Sequence, residues 1–285
     1  MDARPLTSFG SALVVVGALL GSAFGGASGS GSVDPCAGFA TVHTAGRVAD
    51  HQLDEISGIT PSGLGPDVLW AEEDSGNEPS IFALRATGAK VQTVDVDGAT
   101  NVDWEDLARA SGRLWVGDIG DNGAERSSIQ VYWFDEPGPG VTSVRPNLLT
   151  LVYPDGPHDA EGMLVSDGRL YLFEKQVLRS RSRVYAVGLG GLETGADRRL
   201  ELAGTVDMRL ITGASLGRGG IVLSTYTGTR LYPWAGDVRS TLAATPCPVP
   251  LIGSEAVTWS FDGRRIFSIP EGISSTISYA GPPLS

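Results

Sequence analysis

The chain has 285 residues, is 41% hydrophobic and 7% aromatic, and carries 33 acidic against 21 basic side chains, a formal charge of −12. That balance excludes a nucleic-acid polymer or an anionic membrane surface as the natural partner, because phosphate binding needs clustered Lys and Arg. With 39 Gly and 17 Pro, turns are plentiful without reaching low-complexity levels.

Residues 1–30 read as a secretory signal peptide and its flexible exit. Arg4 precedes an apolar run at residues 11–24, and small residues fill 25–32. The run is too short and too rich in Gly and Ser for a comfortable membrane span, the alternative being an uncleaved anchor. Cleavage is expected between Gly25 and Ser30, and no second apolar stretch is long enough to cross a bilayer. Residues 31–285 then form a single domain of an extracellular protein. Its two cysteines, Cys36 and Cys247, are expected to form a disulfide in an oxidising compartment, with a free thiol pair as the alternative.

Short β-rich runs follow, punctuated by Gly, Pro, Asp and Asn every 8–12 residues or so, which is an all-β pattern. The one helix-like stretch, Trp104 to Ala110, falls in a frame of strands. A phrase recurs at Glu55, Glu105, Glu161 and Glu255: an acid, six or seven residues, Gly, then an apolar strand that ends near another acid. A fifth copy begins at Thr212 and replaces both acids with threonine, Thr212 and Thr225. Units of four strand-sized runs repeating roughly every 50 residues signal a β-propeller. Five units are counted; the alternative is six blades, with one hidden in residues 135–147 or 188–204. The last unit lacks its fourth strand, and the N-terminal segment 39–48 is expected to supply it and close the ring. That closure brings Cys36 beside Cys247.

In a propeller hairpin the start of the first strand and the end of the second share one end. Glu55 is therefore paired with Glu73 or Asp74, Glu105 with Asp118, Glu161 with Glu174, and Glu255 with Glu271. All converge on one face at the channel mouth, which is lopsided at the fourth blade. Crowded carboxylates either take up protons or hold a cation, and oxygen ligands without Cys or His favour Ca²⁺. The expected metal ligands are Glu55, Glu105, Glu161, Glu255 and Asp118, with Asp103, Asp106, Asp121, Asn122 and Asp159 close enough to complete a shell. The competing reading is that the glutamates cap backbone N–H groups and hold no metal.

The set Asn101-x-Asp103-Trp104-Glu105-Asp106-Leu107-Ala108, Gly117-Asp118-Ile119-Gly120-Asp121-Asn122, Asp159-Ala160-Glu161 and Ser254-Glu255-Ala256 resembles a family of uncharacterised secreted bacterial propeller-like proteins. The resemblance covers most of residues 50–272 and implies fold and export, not activity. More distantly, the Glu55-Ile56-Ser57, Glu105 and Glu255-Ala256 phrases are similar to calcium-dependent five-bladed apyrases, in which acids surround Ca²⁺ and a nucleotide polyphosphate is cleaved. Lactonase-like and phytase-like propellers have similar acid-ringed channels, so fold is a poor guide to substrate.

Catalysis is assigned to Glu105, Glu161 and His158, with a metal as Lewis acid and one of these as base for water. Substrate contacts are assigned to Arg126 and Lys175, with Arg230 as a third basic candidate, and to Trp104 and Trp259, which break the repeat frame. His51 lies before Glu55 as His158 lies before Glu161, while His43 belongs to the outer strand. Gly213-Ala214-Ser215-Leu216-Gly217 matches a nucleophile-elbow pattern, but it sits on an inner strand where no strand–turn–helix elbow forms. Trp70, Trp115, Tyr171 and Phe267 share one repeat position and read as inter-blade core. Two functions compete: a monomeric metal-dependent hydrolase of a small phosphoester, nucleotide or lactone, and a non-catalytic module that binds a small-molecule, cell-surface or protein ligand.

Overall fold

Five mainly antiparallel sheets follow one another along the chain. In the computed structural model residues 36–253 and 255–284 are described, within a unit spanning Asp34–Ser285. The signal-peptide segment 1–30 lies outside the described residues. The first blade runs β2 (Ile56–Pro61), β3 (Val68–Glu73), β4 (Ser80–Arg85) and β5 (Lys90–Val96). The second has β6 (Trp104–Ala110), β7 (Arg113–Asp118), β8 (Ile129–Asp135) and β10 (Asn147–Val152). The third has β11 (Ala160–Ser166), β12 (Arg169–Glu174), β13 (Ser182–Gly188) and β15 (Glu201–Val206), and the fourth β16 (Ile211–Gly217), β17 (Gly220–Thr225), β18 (Gly228–Pro233) and β19 (Cys247–Val249). The fifth contains β20 (Ala256–Trp259), β21 (Ile266–Ile269) and β22 (Thr276–Ala280), and its outer strand is β1 (Val42–Arg47) from the start of the domain.

The inner strands β2, β6, β11, β16 and β20 neighbour one another in that order, and β20 returns to β2. The chain is a five-bladed β-propeller closed by its N-terminal strand. Pairing of β1 with β22 covers the edge that the last blade would otherwise expose. The Cys36–Cys247 disulfide ties that closing segment to the outer strand of the fourth blade.

The burial pattern follows from this arrangement. Each blade is sandwiched between two others, so β3 and β17 are buried at every position; β17 reads as a continuous apolar or neutral run, and β3 does so from Val68 to Ala71 before ending in buried Glu72 and Glu73. Outer strands such as β1 mix exposed and half-buried residues. Five hydrophobic clusters fill the five blade interfaces. Trp70, Trp115 and Phe267 lie in them as the repeat position requires, while Tyr171 is half-buried at the edge of one. Each such large apolar side chain contributes roughly 1.5–3 kcal/mol of transfer free energy.

The long connections do not hide a sixth blade. Residues 143–144 form β9 (Ser143–Val144), which runs parallel to β5, and β14 (Ala196–Arg199) runs parallel to β10. Each connection therefore lends a fifth strand to the preceding blade and straps the two together. A short helix, α1 (Val238–Ala243), stands between β18 and β19, its first turn capped by Asp237 accepting the Ser240 N–H at 2.9 Å.

Candidate metal centre at the channel mouth

The inner strands share an irregularity that aims their acids. Trp104 pairs with Asp118 and Asp106 with Gly117, which leaves Glu105 as an extra residue in a β-bulge. Glu161 is the extra residue between Ala160 and Gly162, and Thr212 the one between Ile211 and Gly213. The first blade slips register between Ile56 and Ile59, and Ser57 takes the place of Glu105 there. Pairing of Ala256 with Ile269 puts Glu255 in the equivalent place of the fifth blade.

Two further positions repeat around the mouth. The carbonyls of Glu55, Asp103 and Asp159, just before the inner strands, accept the N–H of Asp74, Ile119 and Lys175 at 3.0, 3.1 and 2.9 Å. Glu55 is therefore the counterpart of Asp103 and Asp159, not of Glu105. Asp74 and Lys175 follow the second strands, and Tyr226 and Glu271 occupy the same place in the fourth and fifth blades.

Five carboxylates meet in two overlapping groups, Asp74 with Asp103 and Glu105, and Glu105 with Asp159 and Glu161. Within each group an oxygen from every residue lies within 4.8 Å of the others. The groups draw on the first three blades, while the fourth contributes Thr212 and Tyr226. Gly120 leaves the cluster its room: a Cβ there would land on the Glu105 and Asp103 carboxylates. Ser57 donates to Glu105 Oε2 at 3.3 Å, and the Asp121 N–H donates to Asp159 Oδ1 at 2.9 Å. Lys175 is ion-paired to Glu161 Oε1, whereas Glu161 Oε2 is buried without a hydrogen-bond partner.

Two unit charges 4.8 Å apart repel by roughly 3.5 kcal/mol at an effective dielectric of about 20. Burial adds to that repulsion, and both penalise the charged forms. Burial first, then Glu161, Asp74, Asp103 and Asp159, hold Glu105 well above the usual carboxylate range. Burial likewise raises Asp74, Asp103 and Asp159. Glu161 is pushed up to about 8 because burial outweighs the Lys175 ammonium. Across the mouth, burial and then Glu271 bring Glu255 to about 7. These buried acidic groups are positioned to hold a metal ion.

The acids that end the second strands do other work. Asp118 Oδ1 accepts the Asp103 N–H at 3.1 Å and the Arg126 guanidinium at 2.8 Å. Glu73 accepts the Glu55 N–H at 3.5 Å, and Glu174 accepts the Arg183 N–H at 3.0 Å. Asp118 is thus placed behind Asp103 as a cap, outside both carboxylate groups. Backbone capping and the clustered carboxylates thus fall to different acids of the same hairpin. Glu55 also stands apart from the cluster and receives Asn77 Nδ2 at 2.8 Å.

Other expected contacts are relocated. Trp104 and Trp259 are almost fully buried, not exposed at the channel. Trp104 Nε1 donates to Thr100 O at 2.9 Å, and Trp259 lies in a slot left by Gly217 and Gly219 with Nε1 on Gly220 O at 3.0 Å. His158 is held inside the third blade, Nδ1 at 3.1 Å from Glu174 and Nε2 at 2.8 Å from the Tyr185 hydroxyl, so both ring nitrogens are engaged. Arg126 is tethered to Asp118, to Gly120 O at 2.7 Å and to Gln130 at 2.7 Å. Lys175 remains at the mouth, its Nζ 5.3 Å from the centre of the Tyr226 ring. His43 stacks on Tyr279 and His51 lies beside Ser274.

Sequence reasoning underrated Asp74, Asp103 and Asp159, and missed Gly120, Ser57 and Tyr226. The recurring Asp-x-Glu of Asp103 to Glu105 and Asp159 to Glu161, with Glu55 to Ser57 as its degenerate copy, was the available signal. Asp106 has a separate role. Its Oδ1 accepts the Leu107 N–H at 2.8 Å, and its Oδ2 accepts Met163 N at 2.7 Å and Ala214 N at 3.1 Å, joining three inner strands below the acids.

No protein-family profile and no curated protein matches the chain. Among solved structures, Kuenenia stuttgartiensis hydrazine synthase aligns at 10% identity over 82% of this chain and 97% of its own, with a TM-score of 0.45. A gluconolactonase from Xanthomonas campestris aligns at 14% identity over 88% and 96%, with a TM-score of 0.44. Neither similarity carries an argument about chemistry.

Proposed function

We propose that this is an exported, monomeric propeller that binds Ca²⁺ through Asp74, Asp103, Glu105, Asp159 and Glu161 and hydrolyses a small phosphoester, nucleotide or lactone at that face. The observation that carries the cation reading is Glu161 Oε2, a buried carboxylate oxygen without a donor, in a group with Asp159 and Glu105 that Glu105 joins to Asp74 and Asp103. Hard oxygen donors in excess charge suit Ca²⁺, which accepts six to eight of them in flexible geometry. Bound Ca²⁺ would supply Lewis acidity to a C=O or P–O oxygen. Glu105, central to both groups and desolvated, is the residue suited to take a proton from water. Lys175 and Tyr226 face the same opening and orient an anionic or hydroxylated substrate. His158 is too committed within its blade to serve as base.

The test is thermal unfolding with calcium and with chelator, on the wild type and on a Glu105→Gln, Glu161→Gln double variant. The proposal expects a rise in Tm with millimolar Ca²⁺ that the double variant loses while remaining folded. A wild type indifferent to Ca²⁺ sinks the metal assignment. If calcium binds but nitrophenyl phosphate, nucleoside polyphosphates and lactones all remain intact, the module is a non-catalytic binder.

A further inference from the structure

Segments of the third and fourth blades line an open cleft of about 830 Å³ that shares no residue with the two carboxylate groups. Among the described residues it is lined by Arg179, Arg209 and Arg230 and by one acid, Asp207. Three arginines to one aspartate in the lining reverse the balance of a chain with 33 acids and 21 bases. Among the described residues none of the three arginines is held in an ion pair, in contrast to Arg109, Arg126 and Arg183. Arg230 donates to the Asp207 carbonyl at 3.0 Å, which fixes its reach and leaves its charge uncompensated.

The loss of acids in the fourth blade makes this possible. Thr225 stands where Glu73, Asp118 and Glu174 stand in the first three blades. Its hydroxyl accepts the Thr227 and Gly228 N–H groups at 3.2 and 3.1 Å, so a neutral group closes the turn. An acid there would add a second negative charge to the cleft lining. The Leu178–Arg179 part of the lining is also held: Gln176 Oε1 accepts the N–H of Leu178 and Arg179 at 2.8 and 3.1 Å. Leu178 and Ile252, 92% and 70% exposed, form an apolar rim, and buried Met208 contributes to the lining.

We infer that this cleft is a binding site for an organic oxyanion, a carboxylate or phosphate joined to an apolar segment. Arginine forks match both anions in a two-pronged geometry. The apolar rim favours a ligand that carries carbon over a bare inorganic ion. The inference does not depend on the cation centre, and its test is run on metal-depleted protein.

Phenyl phosphate and benzoate are titrated by calorimetry and thermal shift at constant ionic strength, with inorganic phosphate as the bare-anion probe. The proteins are the wild type, an Arg209→Gln, Arg230→Gln variant and a control with the same charge change, Arg145→Gln, Arg239→Gln. Saturable binding of phenyl phosphate or benzoate to the wild type and control, weakened at least tenfold in the cleft variant, is expected. The probe that binds better identifies the anion. Absence of saturable binding, or an equal response in all three proteins, overturns the site. So does inorganic phosphate binding as tightly as phenyl phosphate. If the double variant misfolds, Arg179→Gln on the exposed wall replaces it and must weaken binding in the same way.

Discussion

The Lys175 ammonium sits on one oxygen of the Glu161 carboxylate and leaves the other buried and bare. Lys175 is the counter-ion that the protein itself supplies to an overcharged cluster, and the charge on Glu161 holds the lysine above its ordinary range despite burial. A calcium ion bound in the cluster would compete with that ammonium. Lys175→Met is expected to raise calcium affinity about tenfold, a gain of ~1.4 kcal/mol, and to lower Tm in chelator. Calorimetric titration and paired melts check both, and weaker calcium binding in this variant would mean that Lys175 helps to build the site.

Asp106 links three blades through backbone N–H groups, so its substitutions should fall in a defined order. In Asp106→Asn the amide oxygen still accepts from Met163 and Ala214, but its NH₂ meets the Leu107 donor. One buried donor is left unmet, at a cost of about 1–3 kcal/mol. Asp106→Ala abandons all three donors and should cost more than about 3 kcal/mol. Urea unfolding midpoints measure the pair, and equal losses would refute the bridging role.

Much of this architecture was legible in the sequence, because strands buried on both faces read as uninterrupted runs such as Val68 to Ala71 and Ile221 to Ser224. The missing fourth strand of the last blade pointed to closure by the N-terminal segment, and that closure placed Cys36 beside Cys247. The aim of the acids was not legible. A bulge adds one residue without changing composition, so Glu55 looked like the partner of Glu105 when Ser57 is. Nor does sequence show that Gly217 and Gly219 open a slot for the Trp259 ring, or that the linkers with β9 and β14 turn back as straps. Such features depend on register and on what packs opposite.

Glu136 joins the first two blades and predicts a pH dependence. Its Oε1 accepts Gly63 N at 2.6 Å and Trp70 Nε1 at 3.0 Å, and its Oε2 accepts Arg109 Nε at 2.7 Å. Burial alone would raise its pKa, but these donors outweigh burial and hold it below the ordinary 4.5. A folded-state pKa below the unfolded one means that protonation favours unfolding. The stabilisation is complete above the unfolded value and is lost as pH falls through the folded one. Glu136→Gln should therefore cost about 1–3 kcal/mol at pH 6, and the gap to wild type should narrow below pH ~4. Melts from pH 3 to 6 check this, and a gap constant across the range would exclude the charge as its origin.

The disulfide closes a sequence separation of 211 residues. Chain entropy for so long a loop gives an upper estimate of about 5 kcal/mol, with 2–4 typical of measured bridges. Cys36→Ala with Cys247→Ala should lower stability within that range, and the closing segment should lose protection first. Hydrogen exchange at β1 and β22 against β6 and β11 reads the difference. Uniform loss of protection across all five blades would show that the bridge is not a local clasp.

Gly120→Ala separates the space around the cluster from its charge. Gly120 does not adopt the positive φ that would exclude alanine, so its backbone accepts the change. The added methyl would land on Glu105 Oε1 and Asp103 Oδ2 and force both carboxylates to move. Every acid remains, and the net charge is unchanged. Were the cluster merely an anionic surface drawing in a loose cation, calcium binding would survive. A site that needs those two oxygens converging should lose at least tenfold in affinity, equivalent to ~1.4 kcal/mol, with a much smaller change in the chelator melt. Calcium titration of Gly120→Ala beside Glu105→Gln decides between a shaped centre and diffuse charge, because only a shaped centre fails in both.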